Sequence, residues 1–215
     1  MKIKHYNSKY FDWQKKIGEF GGEADLFKFK DYIKKSDKVV DFGCGGGYLL
    51  RNINCKERLG VEINSSARKV AKENRIDVVS TIGKIPNNWA DVIISNHALE
   101  HVLDPMTILL KLKTKLKSGG KMIFVVPFER WGSYKENNIN MHLFTWAPQN
   151  LGNLFKTAGY KVNKVDIIKH FWPPYYWLMY RYLGQKIFDI ISKTYCVLYG
   201  KIYQVRVVAV KKINK

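Results

Sequence analysis

Short apolar runs alternate with longer stretches of helical period along most of this chain, which predicts strands and helices in turn. Strands are expected over 38–42, 57–62, 76–80, 91–95, 121–126 and 160–168. A β-branched run from Tyr203 to Val210 predicts a last strand that closes the sheet as an antiparallel edge hairpin. Helices are expected over 47–54, 65–74 and 147–158; Asn64 or Ser65 would cap the second, and Gly159 would stop the third. Asp104-Pro105 marks another helix start, with Asp as cap and Pro in the first turn. Strands that alternate with helices give an α/β doubly wound sheet.

Three stretches fall outside this rhythm. Residues 1–37 carry no strand signal and many aromatics, which predicts a helical cap over the mouth of the sheet, broken at Gly21-Gly22. A loop of about 20 residues, Pro127 to Trp146, is long enough to be functional. Residues 171–200 open on Phe171-Trp172-Pro173-Pro174-Tyr175-Tyr176-Trp177 and continue as a helical insertion. Its stripe of Leu183, Ile187, Ile190, Ile191 and Leu198 is interrupted by Arg181, Lys186 and Lys193. Such an insertion serves as a packed lid, a dimer contact or a segment lying on a membrane surface.

Length and composition narrow the classes. At 215 residues the chain supports one core with room for one insertion. Its three cysteines have no metal-ligand spacing, which suggests a reducing compartment. No signal peptide and no apolar stretch of membrane-spanning length is present, so a cytoplasmic protein is expected, with peripheral membrane contact open through 171–200. The net charge is +19, a balance found in nucleic-acid binders, membrane-surface proteins and enzymes of anionic substrates. The lysines are scattered, and the densest run, Lys111 to Lys117, reads as one solvated helix face. Without an RGG tract, zinc knuckle or basic-aromatic repeat, a nucleic-acid partner is disfavoured.

The chemistry concentrates in Val39-Val40-Asp41-Phe42-Gly43-Cys44-Gly45-Gly46-Gly47, an apolar strand entering a glycine-packed turn. Strand-turn-helix units of this kind build nucleotide crevices in open α/β sheets. A dinucleotide fingerprint would place its third glycine at position 48, which is Tyr48. Asp41 is unfavourable beside a pyrophosphate and favourable beside a cation. Glu62, at the end of the next strand, is placed to accept both hydroxyls of a ribose. Together these suit adenosine joined to a sulfonium.

DFGCGGG followed by GVEIN resembles the first two motifs of the class I S-adenosylmethionine-dependent methyltransferases. The stretch Ala90 to Val102 is similar to that family's fourth-strand motif, and Ser118 to Pro127 to its turn into the fifth strand. The resemblance covers about residues 38–170. It implies a Rossmann-like, seven-stranded, mostly parallel sheet with a final antiparallel strand, and a domain over 38–215 that takes S-adenosylmethionine and releases S-adenosylhomocysteine. On this reading Asp41, Gly43, Gly45, Gly47 and Glu62 hold the cofactor. Ile63 covers the adenine, and Thr81 and Ile82 offer it backbone contacts. Ser95 and Asn96 lie beside the methyl group, and Tyr10 and Gln14 close over from the N-terminal segment.

An oxygen acceptor needs a group to take its proton, and histidine titrates in the right range. His97 and His101 follow the fourth strand, where i,i+4 spacing in a helical turn would set them on one side beside Glu100. His142, at the end of the long loop, is the leading acceptor-side histidine, because related enzymes carry a stretch similar to His142-Leu143-Phe144-Thr145. His97 and His101 are further candidates, and no metal is expected because no third ligand is at hand. Glu129 and Arg130 open the same loop and would bind substrate, Arg130 suiting a phosphate or carboxylate on a small-molecule acceptor. The resemblance favours a sugar or phosphate-bearing metabolite of cell-surface glycan synthesis. A quinone or lipid at a membrane, an RNA, and a non-catalytic cofactor-binding subunit are the alternatives.

Overall fold

A computed structural model describes residues 8–129, 136, 140–199 and 202–213. The strands are β1 (Lys38–Phe42), β2 (Glu57–Val61), β3 (Asp77–Val79), β4 (Ala90–Asn96), β5 (Leu116–Glu129), β6 (Tyr160–Ile168) and β7 (Ile202–Lys211). The helices are α1 (Ser8–Ala24), α2 (Tyr48–Arg51), α3 (Ser65–Glu73), α4 (Pro105–Lys115), α5 (Pro148–Thr157) and α6 (Tyr176–Tyr199). One seven-stranded sheet runs in the order β3-β2-β1-β4-β5-β7-β6. The chain leaves β1 for β2 on one side and returns to β4 on the other, so a crevice opens at the carboxyl ends of β1 and β4.

Both faces of the central strands are buried, as a doubly wound sheet requires. Val40, Ile93, Phe124 and Val207 pack on one face with Leu109, Leu112, Leu151 and Phe155 of α4 and α5. Val39, Val92, Ile94 and Val125 pack on the other with Leu49 and Leu50 of α2, Ala71 of α3, and Phe29. The expected caps form: the Asn64 side chain accepts from Ser66 N and Ala67 N, and Asp104 accepts from Thr107 N with Pro105 in the first turn.

Five expectations from the sequence are corrected. The last strand runs antiparallel at this side of the sheet, as expected, but it is not the outermost strand. β7 is inserted between β5 and β6 and runs antiparallel to both. Val205, Val207, Val208 and Ala209 are all buried, so both faces of β7 are covered, whereas β6 exposes Lys161 and Lys164 and suits the edge. Pairing with the ten-residue β7 also extends β5 to Glu129, beyond the expected 121–126. The helix after the glycine turn is short, ending at Arg51, because Asn52 turns its side chain onto Tyr48 O and Gly22 O.

Gly21-Gly22 is not a break: α1 runs through it. A Cβ on Gly22 would stand 2.5 Å from the backbone carbonyl of Tyr48, so glycine there admits a close approach of α1 to α2. The lysine run after residue 110 is not one solvated face either. Lys113 donates to Ala158 O, Lys115 to Asn87, and Lys117, already in β5, pairs with Asp91.

Candidate active site

The glycine turn is anchored from several sides. Gly43 N and Cys44 N both donate to Val61 O, at 2.9 and 3.2 Å, which ties the turn to the end of β2. Asn74 donates to Gly46 O at 2.7 Å. Gly43 adopts φ 78°, and a Cβ there would collide with Ala98, so only glycine fits. Glu62 accepts from Gly45 N at 3.0 Å and from Asn64 N at 2.7 Å. These bonds oppose the effect of burial, yet burial dominates and holds its carboxyl above the usual range. Four lone-pair sites on a carboxylate leave Glu62 capacity for a ribose besides these two donors.

Asp41 is 2% exposed, and its Oδ1 has no hydrogen-bond partner. Burial first, and the neighbouring Glu62 second, push its pKa up to about 7. An orphaned buried carboxylate at the mouth of a glycine turn is satisfied by a cationic ligand.

Asp41 lines a cavity of about 690 Å³ with Gly43 and Gly45, within the size range of small-molecule sites. Asn96, His97, His101 and His142 form the next part of the wall. β4 ends at Asn96, and His97 follows in the left-handed region at φ 56°. A histidine held there is backbone strain of the kind found at functional sites. Its amide donates to Val125 O, and its Nδ1 stands 3.4 Å from Glu100 Oε1. The expected helical turn through His97 and His101 is therefore absent: Leu99–His101 is a single 3-10 turn.

The carbonyl of the fully buried Glu100 accepts from Leu143 N and Phe144 N, at 2.9 and 3.3 Å. These two bonds hang the end of the long loop on the 3-10 turn and bring His142 edge-on to His101, with ring centroids 5.0 Å apart. Burial, the largest cause, lowers the pKa of His101. Donor atoms of Glu100, His101 and His142 lie within 4.8 Å of one another, so the fold groups His101 with His142 and Glu100 rather than with His97. Two imidazoles and one carboxylate are a donor set that divalent transition ions take.

The remaining sequence candidates are dispersed. Ser95 is buried and gives its hydroxyl to Phe42 O at 2.9 Å, bracing β4 against β1. Ile63 is 64% exposed next to Glu62, Thr81 precedes the 3-10 turn Ile82–Lys84, and Ile82 is buried in the core. Tyr10 and Gln14 belong to α1 and Glu129 ends β5, but their side chains and the whole of Arg130 lie outside the described residues.

Two groups in the cavity wall were missed. Asp25 accepts from Asn96 Nδ2 at 3.0 Å and pairs at 2.7 Å with Lys28, a wholly buried lysine whose pKa burial lowers. His170 stands 3.3 Å from Asp189 of α6, and its pKa is likewise lowered by burial. Neither has a sequence signal, since each partner is an ordinary surface residue type until the fold buries it. Phe171, Trp172 and Tyr176 complete the wall.

A glycine turn at the topological switch point, flanked by the buried Asp41 and the half-buried Glu62, defines a nucleoside-cofactor domain of the doubly wound class. The chain belongs to the methyltransferase-domain family, whose model matches residues 13–165. It is 31% identical over 98 residues to the ubiquinone biosynthesis O-methyltransferase of Nitrosomonas europaea, covering 40% of this chain and 42% of that protein. It is 32% identical over 85 residues to the ribosomal protein L11 methyltransferase of Thermotoga neapolitana, covering 38% and 28%. The chain thus spans less than half the length of either relative. Among solved structures, a Thermotoga maritima protein titled a SAM-dependent methyltransferase, possible histamine N-methyltransferase, superposes with a TM-score of 0.66 at 16% identity, over 94% of both chains. S-adenosylmethionine is the cofactor of this family, and the residues fit it: the orphaned Asp41 oxygen suits its cationic end and Glu62 its ribose. No helix among the described residues is long and apolar enough to cross a membrane.

Proposed function

We propose that this domain transfers the methyl group of S-adenosylmethionine to a hydroxyl on an apolar, aromatic acceptor of the quinol or phenol type. The carrying observation is the make-up of the acceptor wall. Phe171, Trp172 and Tyr176 line the same cavity as His101 and His142, so aromatic faces and a proton acceptor meet in one space. The name of the Nitrosomonas relative, an O-methyltransferase of ubiquinone biosynthesis, supports the same acceptor class.

When bound, the cofactor supplies a methyl group already activated on a sulfonium. Asp41 and Glu62 would hold the cofactor, and the methyl group would pass to the acceptor oxygen with the electron pair of the broken carbon–sulfur bond left on sulfur. His142 takes the hydroxyl proton, and His101, whose pKa burial lowers, stands edge-on beside it and orients the ring. The aromatic wall stacks the acceptor ring and excludes water, so alignment carries most of the rate, about 7–11 kcal/mol in well-oriented reactions.

The test is product formation from S-adenosylmethionine with matched acceptors. A soluble catechol should be methylated, and a sugar phosphate should not. Turnover on the sugar phosphate alone would overturn the assignment.

A further inference from the structure

We propose that α6 is an interfacial helix whose outer face docks on an anionic lipid bilayer, setting the mouth of the cavity against the membrane. The inner face of α6 is fully used. Phe20 of α1 packs against Tyr176, Tyr180 and Phe188 at ring-centroid distances of 4.5, 5.3 and 5.6 Å. Phe188, Ser192 and Cys196 are buried, and Asp189 reaches His170.

The outer face is apolar and uncovered. Beyond a kink at Gly184, Ile187, Ile190, Val197 and Leu198 share one side of the helix, with Ile190 64% and Leu198 67% exposed. Before the kink, Trp177 and Leu183 are 53% and 44% exposed. Large apolar side chains in such a row do not stay in water without a partner.

Charge decides which partner. Lys169, Arg181, Lys186 and Lys193 are all exposed, and Asp189, turned inward, is the sole acid between 169 and 199. An apolar face edged by cations matches a bilayer of anionic lipids. A second copy docking through the same face would set Lys186 and Lys193 of both copies together with no acid to pair them. The apolar path also reaches the site: Trp177 follows Tyr176, which lines the cavity beside Trp172. Delivery of a lipophilic acceptor along this path rests on the proposed acceptor class, whereas the docking itself does not.

Co-sedimentation of the whole chain with vesicles of phosphatidylcholine, with and without phosphatidylglycerol, tests this. The protein should partition onto the anionic vesicles and release with salt. Ile187→Ser with Ile190→Ser should weaken partitioning about tenfold or more. Lys186→Gln and Lys193→Gln should each weaken it about fivefold. Retained cofactor affinity shows that each variant is folded. Equal partitioning of wild type and the isoleucine variant, no preference for anionic vesicles, or a dimer in light scattering that the isoleucine variant dissolves would each overturn the proposal. Turnover on a soluble catechol without vesicles reads the acceptor class separately, so failure there with docking intact sinks only that reading.

Discussion

The glycine turn after β1 and the wall of His142 and α6 line the same cavity but are held by different means. On the cofactor side, backbone groups are fixed by near neighbours: Gly43 N and Cys44 N by Val61 O, Gly45 N by Glu62, and Gly46 O by Asn74. On the acceptor side, position comes from groups far apart in the chain. The His142 segment hangs on the carbonyl of Glu100, and α6 rests on Phe20 through ring contacts. A turn pinned by the sheet edge is rigid and accepts one donor. A wall assembled from a loop and an inserted helix can change its acceptor without disturbing the turn. Substitutions on the two sides should therefore separate cofactor affinity from turnover.

The largest effect is expected at Glu62. Glu62→Ala removes the acceptor for Gly45 N and Asn64 N together with the two ribose bonds expected of it. At about 1.5–3 kcal/mol for each bond to a charged group, cofactor affinity should fall about a thousandfold. Titration calorimetry with S-adenosylhomocysteine checks this, and an unchanged affinity would remove Glu62 from the ribose. On the acceptor wall, His142→Ala should lower turnover about a hundredfold, the range of a lost general base, with cofactor affinity preserved. A parallel drop in affinity would show that the two sides are one rigid unit.

The same contrast decides what the sequence revealed. Asp41, the glycines and Glu62 were legible because each is set by the strand-turn-strand immediately around it, where spacing and chemistry coincide. The joining of Glu100, His101 and His142 was not, since it depends on two backbone bonds across about forty residues of sequence. The aromatic and cationic stripe of α6 could be read from its period, but its inner and outer faces are distinguished only once Phe20 covers one of them. The order of the last two strands was not legible, because a β-branched run says that a strand is buried and not which neighbours bury it. Gly21-Gly22 misled because a glycine that admits another backbone looks, in sequence, like a glycine that ends a helix.

A third substitution probes the seam between the two sides. Gly22→Ala puts a methyl 2.5 Å from the Tyr48 backbone, which cannot swing away as a side chain would. The native state should lose about 2 kcal/mol, roughly thirtyfold in the folding equilibrium, measured by denaturant unfolding. Full stability in the variant would mean that α1 does not rest on α2 in solution.

The smallest effect is the most specific to the cofactor side. Burial and Glu62 raise Asp41 from 3.8 to about 7, so in the cofactor-free protein this acid is protonated in the folded chain where it would be ionised in the unfolded one. Its contribution to stability is full below 3.8 and is lost as pH rises through about 7. A cationic ligand reverses the preference, because the carboxylate is the form that attracts it. Below the shifted pKa, binding must then release a proton, and affinity should fall about tenfold for each further pH unit. Calorimetry with S-adenosylmethionine at about pH 6 and about pH 8, in buffers of different ionisation enthalpy, counts that proton. Asp41→Asn should flatten the profile while His142→Ala leaves it intact, since His142 belongs to the other wall. An affinity that does not change between those pH values would mean that the ligand's charge is met by some group other than the buried acid of β1.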